Sequence, residues 1–155
     1  MTFSLPLAAM RRSVWCERPF YEEAWASEDS EWGHWARSNG HRIAYVPDAA
    51  VMHSHNYTLA QIYGRRFVEG EADAFIYEEK ASLWSSLRRA LSSTAADVAD
   101  QIRQGYAGEL IMTPLRRFVF HLAHYQGHRL GERRRARALH DAGIGQRIVL
   151  SRYGG

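Results

Sequence analysis

Residues 27–58, SEDSEWGHWARSNGHRIAYVPDAAVMHSHNYT, form the stretch from which the fold class is predicted. Its first part predicts a helix over about 28–38, because a serine hydroxyl can cap free amide groups and the acids that follow oppose the helix dipole. An asparagine-glycine pair then stops that helix. The segments 42–47 and 49–55 predict extended structure, separated by a Pro47-Asp48 turn. This stretch therefore predicts an α/β fold.

The chain beyond residue 57 is predicted to be helical. Apolar residues recur at helical spacing over 58–69, and Gly70 is expected to interrupt that helix. A second helical stretch is predicted over 71–91. Thr113-Pro114 marks a further helix start, because a capping residue precedes a proline at the first helical position.

Composition excludes several classes of protein. The chain has 155 residues, of which 46% are apolar, so it is long enough for a folded domain with a real core. No apolar run approaches the roughly 20 residues needed to span a bilayer. The single Cys16 cannot build an intrachain disulfide, which agrees with a reducing compartment. We therefore expect a cytoplasmic protein.

Charge is distributed unevenly along the chain. Residues 1–80 hold 8 basic and 12 acidic side chains, a net charge of −4, whereas residues 81–155 hold 12 basic and 5 acidic side chains, a net charge of +7. The basic half suggests an anionic partner. In particular, residues 114–137 combine an apolar stripe with an arginine cluster. They are typical of a helix on an anionic membrane surface or a nucleic acid, although an ordinary helix with a solvated basic face has the same pattern.

Glu28 and Asp29 are candidates for acid-base chemistry. Sugar transfer with inversion needs a carboxylate that takes a proton from the attacking hydroxyl group. The alternative is that these acids only complement the dipole of the predicted helix. Trp32 is a candidate for stacking on the apolar face of a sugar, and core packing is the alternative for its ring.

His53 and His55 are candidates for metal binding. Two imidazoles at positions i and i+2 of a strand project to the same side, which suits shared coordination of one cation. The alternative is a polar strand end that enters a turn. The Arg11-Arg12 pair is a candidate for phosphate binding, and solvated arginines are the alternative.

An ordered set of motifs resembles glycosyltransferase family 2, nearest to its rhamnosyltransferase-like branch. The set consists of MRRSVW at 10–15, SED at 27–29 and GHRIAYVPDAAVMH at 40–53, and the resemblance covers about residues 5–75. It implies the C-terminal part of a GT-A type, Rossmann-like catalytic domain with an open twisted sheet. It also implies a nucleotide-sugar donor and inversion at the anomeric carbon.

The resemblance implies a role for each matching residue. Asp29 would be the catalytic base, and Glu28 would support the acceptor side of the site. Arg11 and Arg12 would lie near the acceptor or the donor pyrophosphate. Trp32, as a ring that could stack on a sugar, is predicted to bind substrate as well.

The resemblance also implies a divalent cation. His53 would contact the cation, Mn²⁺ or Mg²⁺, or the nucleotide diphosphate, and His55 is a second candidate ligand. Members of the family share this cation with an aspartate-x-aspartate motif in a nucleotide-binding half that has no counterpart in this sequence.

These observations lead to one predicted function and two alternatives. Residues 1–80 are predicted to be the acceptor-side part of a glycosyltransferase catalytic domain, and residues 81–155 a basic helical appendage. The complete enzyme would transfer a sugar to a glycan or a lipid-linked acceptor, and this chain alone would be inactive. One alternative is a noncatalytic basic module that binds an anionic membrane surface or, less expected, nucleic acid. The other is a small metal-dependent hydrolase that uses Asp29, His53 and His55.

Overall fold

The computed structural model describes residues 5–20, 27–51 and 56–137. The chain divides into two compact units, Met1–Asn56 and Tyr57–Gly155. The charge distribution and the family resemblance predict a boundary at residue 80, which stays a prediction.

The predicted α/β, Rossmann-like fold of the GT-A type is wrong. Helices are the regular secondary structure of the described residues, and no strand occurs among them. Residues 42–46 and 49–51 carry no regular structure, although the turn at Pro47-Asp48 is present and is closed by the Ala49 amide, which donates to the Val46 carbonyl at 3.1 Å. A strand needs a partner strand for its backbone groups, and the described part of the chain supplies none.

The described residues of the first unit form two α-helices, α1 (Arg12–Glu17) and α2 (Glu28–Ser38). The predicted bounds of α2 are confirmed. Three acids occupy its first turn, and Gly40 follows its end with φ of +80°. Ser27 makes no side-chain capping bond, so the acids rather than a hydroxyl cap oppose the helix dipole.

The core of the first unit is built around α2. Trp32 and Ala36 are buried, and five partly buried side chains pack against them: Met10, Val14, Phe20, Trp35 and Ile43. The Trp32 indole nitrogen donates to the Arg18 carbonyl at 2.9 Å, which satisfies the one polar atom of a buried ring.

The part of the second unit that the structure describes has three long helices, α3 (Leu59–Ile76), α4 (Leu83–Gln104) and α5 (Met112–Ala136). The last helix packs against both of the others. A capping box begins α3, because the Gln61 amide donates to the Thr58 hydroxyl and the Gln61 side chain accepts from the Thr58 amide. Gly105, with φ of +77°, ends α4.

Gly70 does not interrupt α3, contrary to the prediction. The helix continues to Ile76, and a Cβ atom built on Gly70 would lie 2.2 Å from the His124 carbonyl oxygen of α5. Gly127 and Gly131 of α5 approach α3 in the same way. These glycines are therefore needed for the close approach of two helices rather than for a break.

The predicted helix over 71–91 is split in the structure. The chain leaves α3 at Tyr77 and enters α4 after Ser82, whose hydroxyl accepts from the Ser85 amide at 3.2 Å. Arg135 of α5 donates to the carbonyl of Ala74 and, at 3.2 Å, to that of Glu78. This arginine satisfies carbonyl groups that the end of α3 leaves without helical partners.

Candidate functional site

The predicted catalytic carboxylates lie in the first turn of α2. Glu28 and Asp29 are both partly exposed, and Asp29 Oδ1 accepts from the Ser30 amide at 2.7 Å. Glu31, in the same turn, pairs with Arg18 at 2.5 Å. These contacts favour the alternative in which the acids stabilise the start of the helix. None of them tests proton transfer to a substrate, which stays a prediction.

The other predicted site residues have different environments. Arg11 precedes α1, Arg12 is its first residue, and both side chains are exposed. Only 3% of Trp32 is exposed, with Phe20 and Trp35 rings at 6.2 and 5.8 Å between centroids. The structure thus places Trp32 in the core, on the same helix as the two carboxylates.

The predicted metal ligands, His53 and His55, lie outside the described residues. Among the residues that the structure does describe, no group of three or more histidine, cysteine or acidic side chains is arranged to hold a metal ion. The divalent cation therefore stays a prediction.

A buried ion pair in the second unit was missed by the sequence analysis. Arg134 Nε of α5 lies 3.1 Å from Glu71 Oε1 of α3, and the two side chains are 8% and 1% exposed. A second cross-helix pair joins His124 Nε2 to Asp73 Oδ2 at 2.8 Å. The available signal was the position of Glu71, three residues after Val68 on the helix face that α3 buries.

Polar side chains fix the register of α4 against α5. Three pairs, spaced four residues apart on each helix, join the two: Ser93 with His121 (3.1 Å), Asp97 with Arg117 (2.9 Å) and Gln101 with Thr113 (2.8 Å). Along these pairs the residue number increases on α4 and decreases on α5. The two helices therefore form an antiparallel hairpin.

This register places two apolar rows on the same side of the hairpin. On α4, Val98 and Ile102 each follow by one position a residue that bonds to α5. On α5, Phe118 and Leu122 each follow by one position a residue that bonds to α4. Each residue along an α-helix is rotated by about 100° about the helix axis from the one before it. In two antiparallel helices, the residues that follow the contact residues by one position therefore lie on the same side of the pair.

We call this side the outer face. Its exposed large apolar side chains are Trp84, Leu87, Leu91, Ile102, Ile111, Leu115 and Phe118. Ile111 is 86% exposed, Trp84 76% and Leu91 74%. Scattered apolar residues are normal on a protein surface, but a continuous row along two helices indicates an interaction surface.

Basic residues continue the outer face at one end. Arg129 follows Phe118 by 11 positions and Leu122 by 7, and Arg133 follows Leu115 by 18, so both lie in line with the apolar row of α5. Arg88 stands beside the row on α4. No acidic residue lies among the outward positions of α4, since Asp97 faces α5 and Asp100 lies on the opposite side and pairs with Arg103. On α5, Glu132 Oε2 lies 3.8 Å from Arg129 Nε. The face is therefore apolar, and its end has more basic than acidic side chains.

Two histidines inside the second unit have lowered pKa values. Burial lowers the pKa of His121, and the nearby guanidinium groups of Arg117 and Arg66 lower it further. Burial likewise lowers the pKa of His128, where His124 adds to the effect and the Glu132 carboxylate opposes it. Both imidazoles are therefore held in the neutral form.

Acid should destabilise the second unit for this reason. The unfolded chain takes up these protons near the ordinary histidine pKa of 6.5, and the folded chain takes them up only at lower pH. The neutral histidines contribute their full stabilisation when the pH is above the ordinary histidine pKa. This contribution is lost as the pH falls below that pKa. Thermal unfolding followed by far-UV circular dichroism should give a lower melting temperature at about pH 5 than at about pH 7.5.

The double variant His121→Gln/His128→Gln should show a smaller fall in melting temperature between the two pH values. Ala96→Gln, at an exposed position of the same unit, introduces a glutamine without removing a histidine and should leave the fall unchanged. The same fall in melting temperature in the double variant and in the wild type would contradict the assignment of the acid sensitivity to these two histidines.

Comparison with known proteins gives no relative: no family model, no curated protein and no solved structure matches the chain. The described residues are helical and contain no strand, which conflicts with the sheet of a GT-A domain. The resemblance to glycosyltransferase family 2 is therefore wrong as an identification of this chain.

Proposed function

We propose that this protein binds an anionic membrane surface through the outer face of α4 and α5. The observation that supports this proposal best is the exposed apolar row shared by two helices held in one register. None of the helices in the described ranges combines the length and apolarity needed to cross a bilayer. The proposed contact is a peripheral one, in which the apolar row enters the interface between lipid and water.

Two kinds of side chain contribute to this binding. Burial of an exposed leucine or isoleucine in the acyl boundary stabilises the bound state by about 1.5–3 kcal/mol. Arginines at the rim add attraction to anionic lipids, about 1 kcal/mol each near the surface. Arg88, Arg129 and Arg133 are placed for this second role, since their side chains are exposed at the edge or end of the row.

Lipid fits the outer face better than nucleic acid does. A nucleic acid presents phosphates along its whole length, so its binding face is basic throughout. On the outer face the basic residues stand at one end, and exposed aliphatic and aromatic side chains occupy most of the remaining length. We place the contact at the inner face of the cytoplasmic membrane, in keeping with the single cysteine of the chain.

Co-sedimentation with lipid vesicles tests the proposal. We expect binding to vesicles that contain phosphatidylglycerol, weaker binding to phosphatidylcholine alone, and a loss of affinity as salt is raised. Leu91→Gln/Ile111→Gln should weaken binding at least about tenfold, because two apolar side chains no longer enter the lipid. Both residues are well exposed, so the fold should be unaffected.

A matched control is available in the first unit. Leu7 and Val46 are 54% and 58% exposed, and Leu7→Gln/Val46→Gln removes the same kind of surface outside the outer face. This control should bind like the wild type. Equal loss in both double variants, or salt-dependent binding to DNA without binding to vesicles, would refute the proposal.

A further inference from the structure

The outer face changes in character along the hairpin. Near the α4–α5 turn it is apolar, with Ile102 on one helix opposite Ile111 on the other, and Tyr106 is 63% exposed in the turn itself. At the open end the exposed apolar residues are those of α4 alone, and α5 contains Arg129 and Arg133. A surface of this kind does not fit a lipid interface equally at both ends.

The register continues to the open end. The Glu132 carboxylate accepts from the Ala81 amide, in line with the three side-chain pairs further along the hairpin. Trp84 follows Ala81 by three residues, and Arg129 precedes Glu132 by three residues. Trp84 and Arg129 therefore lie at the same level along the hairpin. Trp84 is 76% exposed and Arg129 has a 45% exposed side chain.

We infer that the hairpin docks tilted, with the α4–α5 turn deepest and the open end at the lipid phosphates. This inference rests on the proposed membrane function and adds its orientation and its phosphate contacts. Arg129 and Arg133 donate to phosphate oxygens, a contact that the planar guanidinium group makes well. Trp84 lies at the same depth, where an amphipathic ring with one N–H donor is most favourable.

The length of the hairpin makes a small tilt sufficient. Ile111 and Arg129 are 18 residues apart on α5, which is about 27 Å of helix. A tilt of about 20° then places Ile111 roughly 9 Å deeper than Arg129, within the roughly 5–10 Å to which interfacial helices bury their apolar face. Arg129 and Arg133 can thus stay among the headgroups while Ile111 reaches the acyl chains.

Depth measurements test this orientation. In a Cys16→Ser background, single cysteines at Ile111, Leu87 and Ala96 take a nitroxide label, and oxygen and nickel-chelate accessibility gives the depth of each in phosphatidylglycerol vesicles. Ile111 should lie deepest, Leu87 near the phosphates, and Ala96, which is exposed on the opposite side of α4, in water. Equal depths for Ile111 and Leu87 would overturn the tilt and leave membrane binding intact. Absence of binding in every labelled variant and in the wild type would refute both.

Charge substitutions test the phosphate contacts. Arg129→Gln/Arg133→Gln should weaken binding to anionic vesicles by roughly 30-fold. Arg103→Gln/Arg116→Gln removes the same charge from two exposed arginines on the opposite side of the hairpin, and it should have a much smaller effect. Both control arginines pair with a carboxylate, as Arg129 does with Glu132 at 3.8 Å, so the two variants differ in position rather than in pairing. An equal effect of the two double variants would overturn the phosphate assignment.

The phosphate could come from a lipid headgroup or from solution. Calorimetric titration with inorganic phosphate, in the absence of lipid, distinguishes the two sources. We expect no saturable binding, because two exposed arginines need the bilayer to hold the phosphates in place. Saturable binding that Arg129→Gln abolishes would overturn the lipid assignment.

Discussion

Replacing Arg134 by methionine should lower the free energy of unfolding of the second unit by about 3–5 kcal/mol. The guanidinium group lies 3.1 Å from the Glu71 carboxylate, and the Glu71 side chain is only 1% exposed. Without its partner, Glu71 must either keep a buried charge or take up a proton, and both outcomes cost free energy. Urea unfolding followed by far-UV circular dichroism measures this loss, because α3, α4 and α5 supply most of the described helix.

Arg133→Met is the matched control for this variant. Arg133 is the preceding residue of α5 and its side chain is exposed, so the same substitution should change stability by less than about 0.5 kcal/mol. The double variant Glu71→Leu/Arg134→Met should recover most of the loss, since no buried charge remains. If Arg134→Met and Arg133→Met were equally stable, the ion pair would not stabilise the packing of α3 on α5.

Local signals in the sequence predict the structure of a segment only where that structure depends on the residues of one helix alone. The bounds of α2 follow from three acids in its first turn and the glycine after its end, and the structure has that helix at Glu28–Ser38. The segments around Pro47-Asp48 show the opposite case. Their composition is typical of strands, but a strand requires a partner elsewhere, and the sequence of one segment does not specify whether a partner exists.

Gly70 shows a second limit of local signals. A glycine inside an apolar helical pattern lowers helix propensity, which is why an interruption is predicted there. The helix continues because Gly70 lies against the backbone of α5, at a distance that no side chain would permit. Close packing between helices distant in sequence outweighs a local preference of about 1 kcal/mol.

Candidate site residues are even less determined by local sequence. Glu28 and Asp29 suit both a helix start and proton transfer, and the contact of Asp29 with the Ser30 amide supports the first use. The outer face was predictable in part, since residues 114–137 show an apolar stripe before an arginine cluster. The contribution of α4 was not, because it depends on the register of the hairpin and therefore on contacts across two helices.

Replacing Gly127 by alanine should lower the free energy of unfolding of the second unit by about 3 kcal/mol. A Cβ atom at this position would lie 1.9 Å from the Phe67 carbonyl oxygen and 2.8 Å from its carbonyl carbon. Both atoms belong to the backbone of α3, so a change of side-chain rotamer cannot relieve the overlap and the two helices must move apart. Such a movement would also expose Glu71, whose amide nitrogen is 3.1 Å from the same point.

Gly108→Ala is the control for this substitution, because a Cβ atom there meets nothing within 4 Å. Its free energy of unfolding should stay within about 0.5 kcal/mol of the wild-type value. The two variants also separate stability from binding. In Gly127→Ala, α5 moves relative to α3 while its register with α4 is held by three side-chain pairs, so vesicle binding should persist wherever the unit remains folded. Unchanged stability of Gly127→Ala in urea unfolding would mean that α3 and α5 do not approach each other through their glycines.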